Sequence, residues 1–90
     1  MDKKGNDDAR EYVFGLMDAV IEDTSVPKNI RAAVNEAREK IGSSAEVSVG
    51  VTSALYILDD ISNDINMPSH TRTEIWTIIS ELESIRERNK

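Results

Sequence analysis

The chain has 90 residues, 39% of them hydrophobic and 31% charged, no cysteine, and a formal net charge of -6 from 11 basic and 17 acidic side chains. One domain with one modest core is the limit at that length, a core that removes roughly 60 to 65% of the unfolded chain's surface from water. Without cysteine, disulfides and thiolate metal sites are excluded and a reducing, cytoplasmic setting is expected, while the acid excess opposes phosphate backbones and argues against nucleic acid as a partner.

Residues 1–6 are polar, contain Gly5, and read as a flexible lead-in to a single domain over residues 7–90. The opening MDKKGNDD has no apolar run behind its lysines. No stretch approaches the roughly 18 uninterrupted apolar residues of a membrane span, so no membrane partner is expected. Val13, Leu16, Met17, Val20 and Ile21 then recur at three- and four-residue steps, which predicts a first helix from about Asp7 to Glu22. Ile30, Ala33, Val34, Ala37 and Ile41 repeat the pattern in a second helix, opened near Pro27 and ended by Gly42 in a left-handed conformation.

The run EVSVGVT, Glu46 to Thr52, alternates apolar and small polar residues, the period of a half-buried strand. A lone strand has nothing to pair with, and Ser43 with Glu46 reads as a capping box before Val47, Val51, Ala54, Leu55, Leu58, Ile61 and Ile65 at helical spacing. A third helix is therefore preferred. From about Pro68 to Arg88, Ile75, Ile78, Ile79, Leu82 and Ile85 line one face of a fourth helix, the cleanest amphipathic pattern in the chain.

DTSVPKNIR, Asp23 to Arg31, returns as DINMPSHTR, Asp64 to Arg72, at an offset of 41 residues. Pro27 falls on Pro68, Arg31 on Arg72, and the apolar residues upstream fall on one another as well. Each proline suits the first turn of a new helix and prevents the previous helix from running through. The reading is two copies of one helical hairpin. Acceptors for each new helix start come from Ser25 and Asn66 as N-caps, or from Asp23 and Asp64, on which Arg31 and Arg72 can close. The fold class is all-α: two antiparallel hairpins, arranged as a four-helix bundle or a HEAT-like pair.

The hairpin weakly resembles a HEAT-type repeat, whose period of about 40 to 47 residues includes the offset. A closer resemblance rests on VIEDTSVPKNIR and ISNDINMPSHTRTEIW, which are similar to runs shared by the small archaeal proteins of Uncharacterised Protein Family 0147 and cover Ala9 to about Glu87. That resemblance implies a compact all-helical archaeal protein. It implies no activity, cofactor or catalytic residue.

The residues themselves assemble no known chemistry. His70 and Glu74 are one helical turn apart, but two ligands are too few for a metal site and the chain holds one histidine, so His70 reads as a hydrogen-bonding residue at a helix start. Asp59, Asp60 and Asp64 read as a solvated face. No catalytic, metal or cofactor site is expected. The chain instead offers surfaces: Ala54, Leu55, Ile57 and Leu58 make a wide apolar face, and Trp76 with Ile79 extends the fourth stripe sideways. Trp76 either roofs an edge of the core, the preferred reading, or meets a partner. The expected function is a small non-catalytic interaction or assembly module, a homodimer through Ile57, Tyr56, Trp76 and Ile79; the alternative is a ligand carrier or an enzyme with its site in the bundle core.

Overall fold

The structure, a computed structural model, describes residues 3–89, with side chains from Asp8 onward. It contains four helices, α1 (Lys3–Glu22), α2 (Lys28–Ser43), α3 (Val47–Ile61) and α4 (Ser69–Arg88), and no strand among the described residues. Of the polar lead-in expected over residues 1–6, the first two residues lie outside the described residues and Lys3 to Asn6 form the first turn of α1.

The alternating run is helical from Val47 to Thr52. Period two loses because Gly50, Val51, Ala54, Leu55 and Leu58 can all be buried at once only at helical spacing. Three local expectations at this turn need correction. Gly42 does not end α2 in a left-handed conformation: no described residue has a positive φ, the helix runs one residue further, and Ser44 at φ -82°, ψ 135° leaves it in extended geometry. Ser43 belongs to α2, so there is no capping box; Ser44 Oγ instead donates to the Glu46 carbonyl at 2.8 Å. Ile65, expected on the apolar stripe of the third helix, lies past its end in the turn and is 91% exposed.

α1 packs against α2 and α4, and α3 packs against the same two, leaving α1 opposite α3 and α2 opposite α4. A HEAT-like pair would stack equivalent helices on one another, so the arrangement is a four-helix bundle with sequential neighbours, 38 by 19 by 19 Å. Swapping the hairpins leaves this pairing unchanged, as a pseudo-two-fold axis along the bundle requires. Met17 and Val20 of α1, Ile30 and Val34 of α2, Leu58 of α3, and Ile75, Ile78 and Ile85 of α4 are fully buried along the centre. Val26 and Met67, the residues before the two prolines, plug the end where both hairpins turn.

The wide apolar face of α3 is consumed within the chain. Ala54, Leu55 and Leu58 are buried between α2 and α4, and Ile57 packs against the core cluster. That wide face is therefore covered by two neighbouring helices of the same chain.

Candidate functional site

Two features stand apart from ordinary helix packing: the end of the bundle where the repeated turns meet, and the outer flank of α3 and α4. At the first, Pro27 (φ -55°, ψ 146°) and Pro68 (φ -59°, ψ 150°) occupy the N-cap positions of α2 and α4 in extended geometry, with no side-chain cap. Ser25 and Asn66 are therefore not N-caps. Their backbone N–H groups donate to Asp23 Oδ1 at 2.9 Å and Asp64 Oδ1 at 2.8 Å, so the aspartates close the turns and not the helix starts.

The second carboxylate oxygen of each aspartate crosses to the other hairpin. His70 Nε2 donates to Asp23 Oδ2 at 3.1 Å, and Asn29 Nδ2 donates to Asp64 Oδ2 at 2.9 Å. Asn29 and His70 are themselves related by the 41-residue offset, so the two bonds form a reciprocal pair about the pseudo-axis. Asp23 is held well below its ordinary value, at about 2, by the Ser25 hydroxyl and backbone donors and then by His70. Asp64 is lowered by the Asn66 N–H and next by Asn29.

The arginines do not close on the aspartate carboxylates. Arg31 Nε donates to the Val26 carbonyl at 3.0 Å, and Arg72 donates from Nη1 to the Ser62 carbonyl at 2.6 Å and from Nη2 to the Asp64 carbonyl at 3.1 Å. A planar guanidinium is suited to two carbonyls left open where α3 ends. Every partner in this cluster is thus accounted for by folding the turns, and among the described residues no three His, Asp or Glu side chains gather to hold a metal.

The flank of α3 and α4 is different. Tyr56 is 74% exposed and Trp76 61% exposed, and both stand near the middle of this flank by helical position. Trp76 therefore does not roof the core edge. Ile79 is half-buried in the seam, on the side of α4 that carries Arg72 toward α3. Ile57 lies elsewhere: two turns from Gly50, it shares the side of α3 that meets α2. Below Tyr56 the seam opens into a groove of about 510 Å³ lined by Ser48, Val49, Thr52, Ser53, Arg86 and Asn89.

The pseudo-equivalent flank, built by α1 and α2, is closed over. Arg38 stacks on the Phe14 ring at 4.5 Å and pairs with Asp18 at 2.8 Å, and Arg10 lies 5.8 Å from the same ring. At offset 41, Arg38 corresponds to Ile79 and Arg10 to Val51, so α3 and α4 lack this lid. The exposed apolar residues have no counterparts either: Trp76 corresponds to Asn35, Tyr56 to Gly15, Ile65 to Thr24 and Val49 to Asp8.

A family model described as Uncharacterised protein family (UPF0147) matches residues 1–85. The chain belongs to this family. It is 51% identical over 72 residues to a UPF0147 protein of Methanocaldococcus jannaschii, a match spanning 79% of this chain and 77% of that one. It is 44% identical over 85 residues to one from Archaeoglobus fulgidus, spanning 94% and 93%. The crystal structure of a UPF0147 protein from Thermoplasma acidophilum superposes with a TM-score of 0.84 at 33% identity, covering 89% of this chain and 95% of that one. UPF0147 is described by no activity, so no residue inherits a role from it.

Two structural features carry no clear mark in the sequence. Gly50 carries no sequence signal of its own, although a Cβ there would stand 2.9 Å from the Lys40 carbonyl oxygen and 3.2 Å from Ile41 Cα. The groove escaped because small hydroxyl residues on α3 and an arginine on α4 share no sequence pattern. The only legible signal was Trp76, next to the apolar stripe and not on it.

Proposed function

We propose that this UPF0147 protein is a non-catalytic helical assembly module of the cytoplasm that pairs with a second copy of itself through the outer flank of α3 and α4. The observation that carries the reading is the asymmetry between two flanks built on one plan. One is sealed by Arg10, Phe14, Asp18 and Arg38, whereas the other leaves Tyr56 and Trp76 exposed where its sister has glycine and asparagine. Large exposed aromatics at the centre of a flat helical surface are the residue types that dominate interface energies. A symmetric dimer is the commonest closed assembly and satisfies such a patch with an identical one.

A carrier or enzyme with a site in the bundle core finds less support. Among the described residues the buried side chains are apolar apart from Thr71, so polar groups do not converge among them. The cytoplasmic placement is supported by the lack of cysteine and by the absence of any described helix long and apolar enough to cross a membrane. Sedimentation at micromolar concentration tests the pairing: a wild-type dimer that becomes a monomer on Trp76→Ala is expected. A wild-type monomer across that range would overturn the proposal.

A further inference from the structure

Resting on the self-pairing just proposed, we infer that the two copies meet antiparallel about a two-fold axis, with Trp76 of each seated in the α3–α4 groove of the other. The relative level of residues on α3 and α4 is fixed at both ends of the hairpin. Near the turn, Arg72 reaches the Ser62 carbonyl; at the far end, Arg86 and Asn89 share a groove with Ser48 and Thr52. Trp76 is one turn beyond Arg72, level with about Leu58. The groove lies some 12 to 15 Å further along the same flank at 1.5 Å per residue. Trp76 therefore cannot fill its own chain's groove.

A two-fold axis lying across the helices midway between them, close to Tyr56, places each Trp76 over the other copy's groove in one operation. This closes the assembly isologously. The chemistry of the groove fits an indole. Ser48, Thr52 and Ser53 supply hydroxyl oxygens that accept from the indole N–H, Val49 supplies an apolar lip, and Arg86 supplies a guanidinium to lie against the ring. Its volume of about 510 Å³ leaves room for the whole side chain.

The same orientation makes one charge pair available. Asp59 and Asp60 are exposed beside the level of Trp76, and Arg86 lies at the groove. Rotation about the transverse axis sets Asp59 of one copy over Arg86 of the other, a pairing shared at that level with the exposed Glu83 and Glu87 on the Trp76 side of α4. An axis running along the helices would instead leave Trp76 facing its partner's aspartates at a level with no groove. One flank of the 38 by 19 Å bundle offers on the order of 700 Å², close to the ~800 Å² that each side contributes to a standard interface.

The test combines sedimentation with the fluorescence of Trp76, the sole tryptophan, over a micromolar dilution series. Wild type is expected to dimerise with a blue shift of emission as concentration rises. Ser53→Arg, which obstructs the groove from an outer position, should abolish both without loss of helical circular dichroism. Arg86→Glu and Asp59→Arg should each weaken the dimer by about tenfold, since each sets like charges against one another twice. Their equimolar mixture should recover wild-type association, because the heterodimer has opposite charges at both contacts. A wild-type dimer that needs Trp76 but ignores Ser53→Arg, or is not restored by mixing, overturns the antiparallel seat and leaves the flank as the interface. A dimer indifferent to Trp76→Ala overturns both, and a wild-type monomer overturns the pairing itself.

Discussion

Gly50 offers a direct test of how α2 and α3 are held together. A methyl group added there would sit 2.8 Å from Ser44 Cβ, 2.9 Å from the Lys40 carbonyl oxygen and 3.2 Å from Ile41 Cα. The last two are backbone atoms of α2, so a rotamer change cannot relieve the contact; the helices must separate or α3 must slide. Overpacking of this kind costs about 1 to 3 kcal/mol, against a helix-propensity gain of about 0.5 to 1 kcal/mol for Gly→Ala. The balance is a net loss of about 1 to 2 kcal/mol, or a fall in Tm of roughly 5 to 10 °C for a domain of this size. Gly15 supplies the control. It is helical and exposed, and its added Cβ would meet nothing within 4 Å, so Gly15→Ala keeps the propensity gain alone and should raise Tm by several degrees. Thermal unfolding followed by circular dichroism at 222 nm reads both. If Gly50→Ala gains stability as Gly15→Ala does, the close approach of α2 and α3 is not what keeps glycine at this position.

The remaining predictions concern single polar groups. Thr71 is fully buried and its hydroxyl has no partner, whereas its pseudo-equivalent is Ile30; Thr71→Val should stabilise by about 1 kcal/mol, and no change in denaturant midpoint would contradict this. Arg72→Ala should cost about 1 to 2 kcal/mol by removing donors from the Ser62 and Asp64 carbonyls, and Arg72→Lys should recover little because an ammonium cannot reproduce the fork; full rescue by lysine would count against the two-carbonyl contact. Asp23 has its folded value lowered from 3.8 to about 2, so its stabilising contribution is complete above pH 3.8 and is lost as pH falls toward 2. Carboxyl NMR should place its titration near 2 and should move it upward in Ser25→Ala; an ordinary aspartate titration in the wild type would refute the hydrogen-bond geometry at this turn.

The four helices and both reversals were legible in the chain because helical apolar spacing and proline after a turn act within a few residues of one another. Val13, Met17 and Val20, like Ile75, Ile78 and Ile85, have to share a side of any helix that contains them. Pro27 and Pro68 forbid continuation whatever surrounds them. The 41-residue offset likewise exposed the repeated turn, although not the partners of its residues. Asp23 and Asp64 seemed placed to serve the helices that follow them, and in the bundle each spends one oxygen on its own turn and the other on the opposite hairpin. That choice depends on which ends of the two hairpins meet. The start of α3 was misread for a related reason: Ser43 and Glu46 have capping-box spacing, but α2 and α3 approach so closely at Gly50 that α2 keeps Ser43 and the turn is left to Ser44, Ala45 and Glu46. Tertiary structure alone also decided what covers each apolar face. Sequence shows that Leu55, Leu58 and Trp76 are apolar, but only the square packing of the helices buries the two leucines between α2 and α4 and leaves the indole outside, because burial is fixed by neighbours distant along the chain.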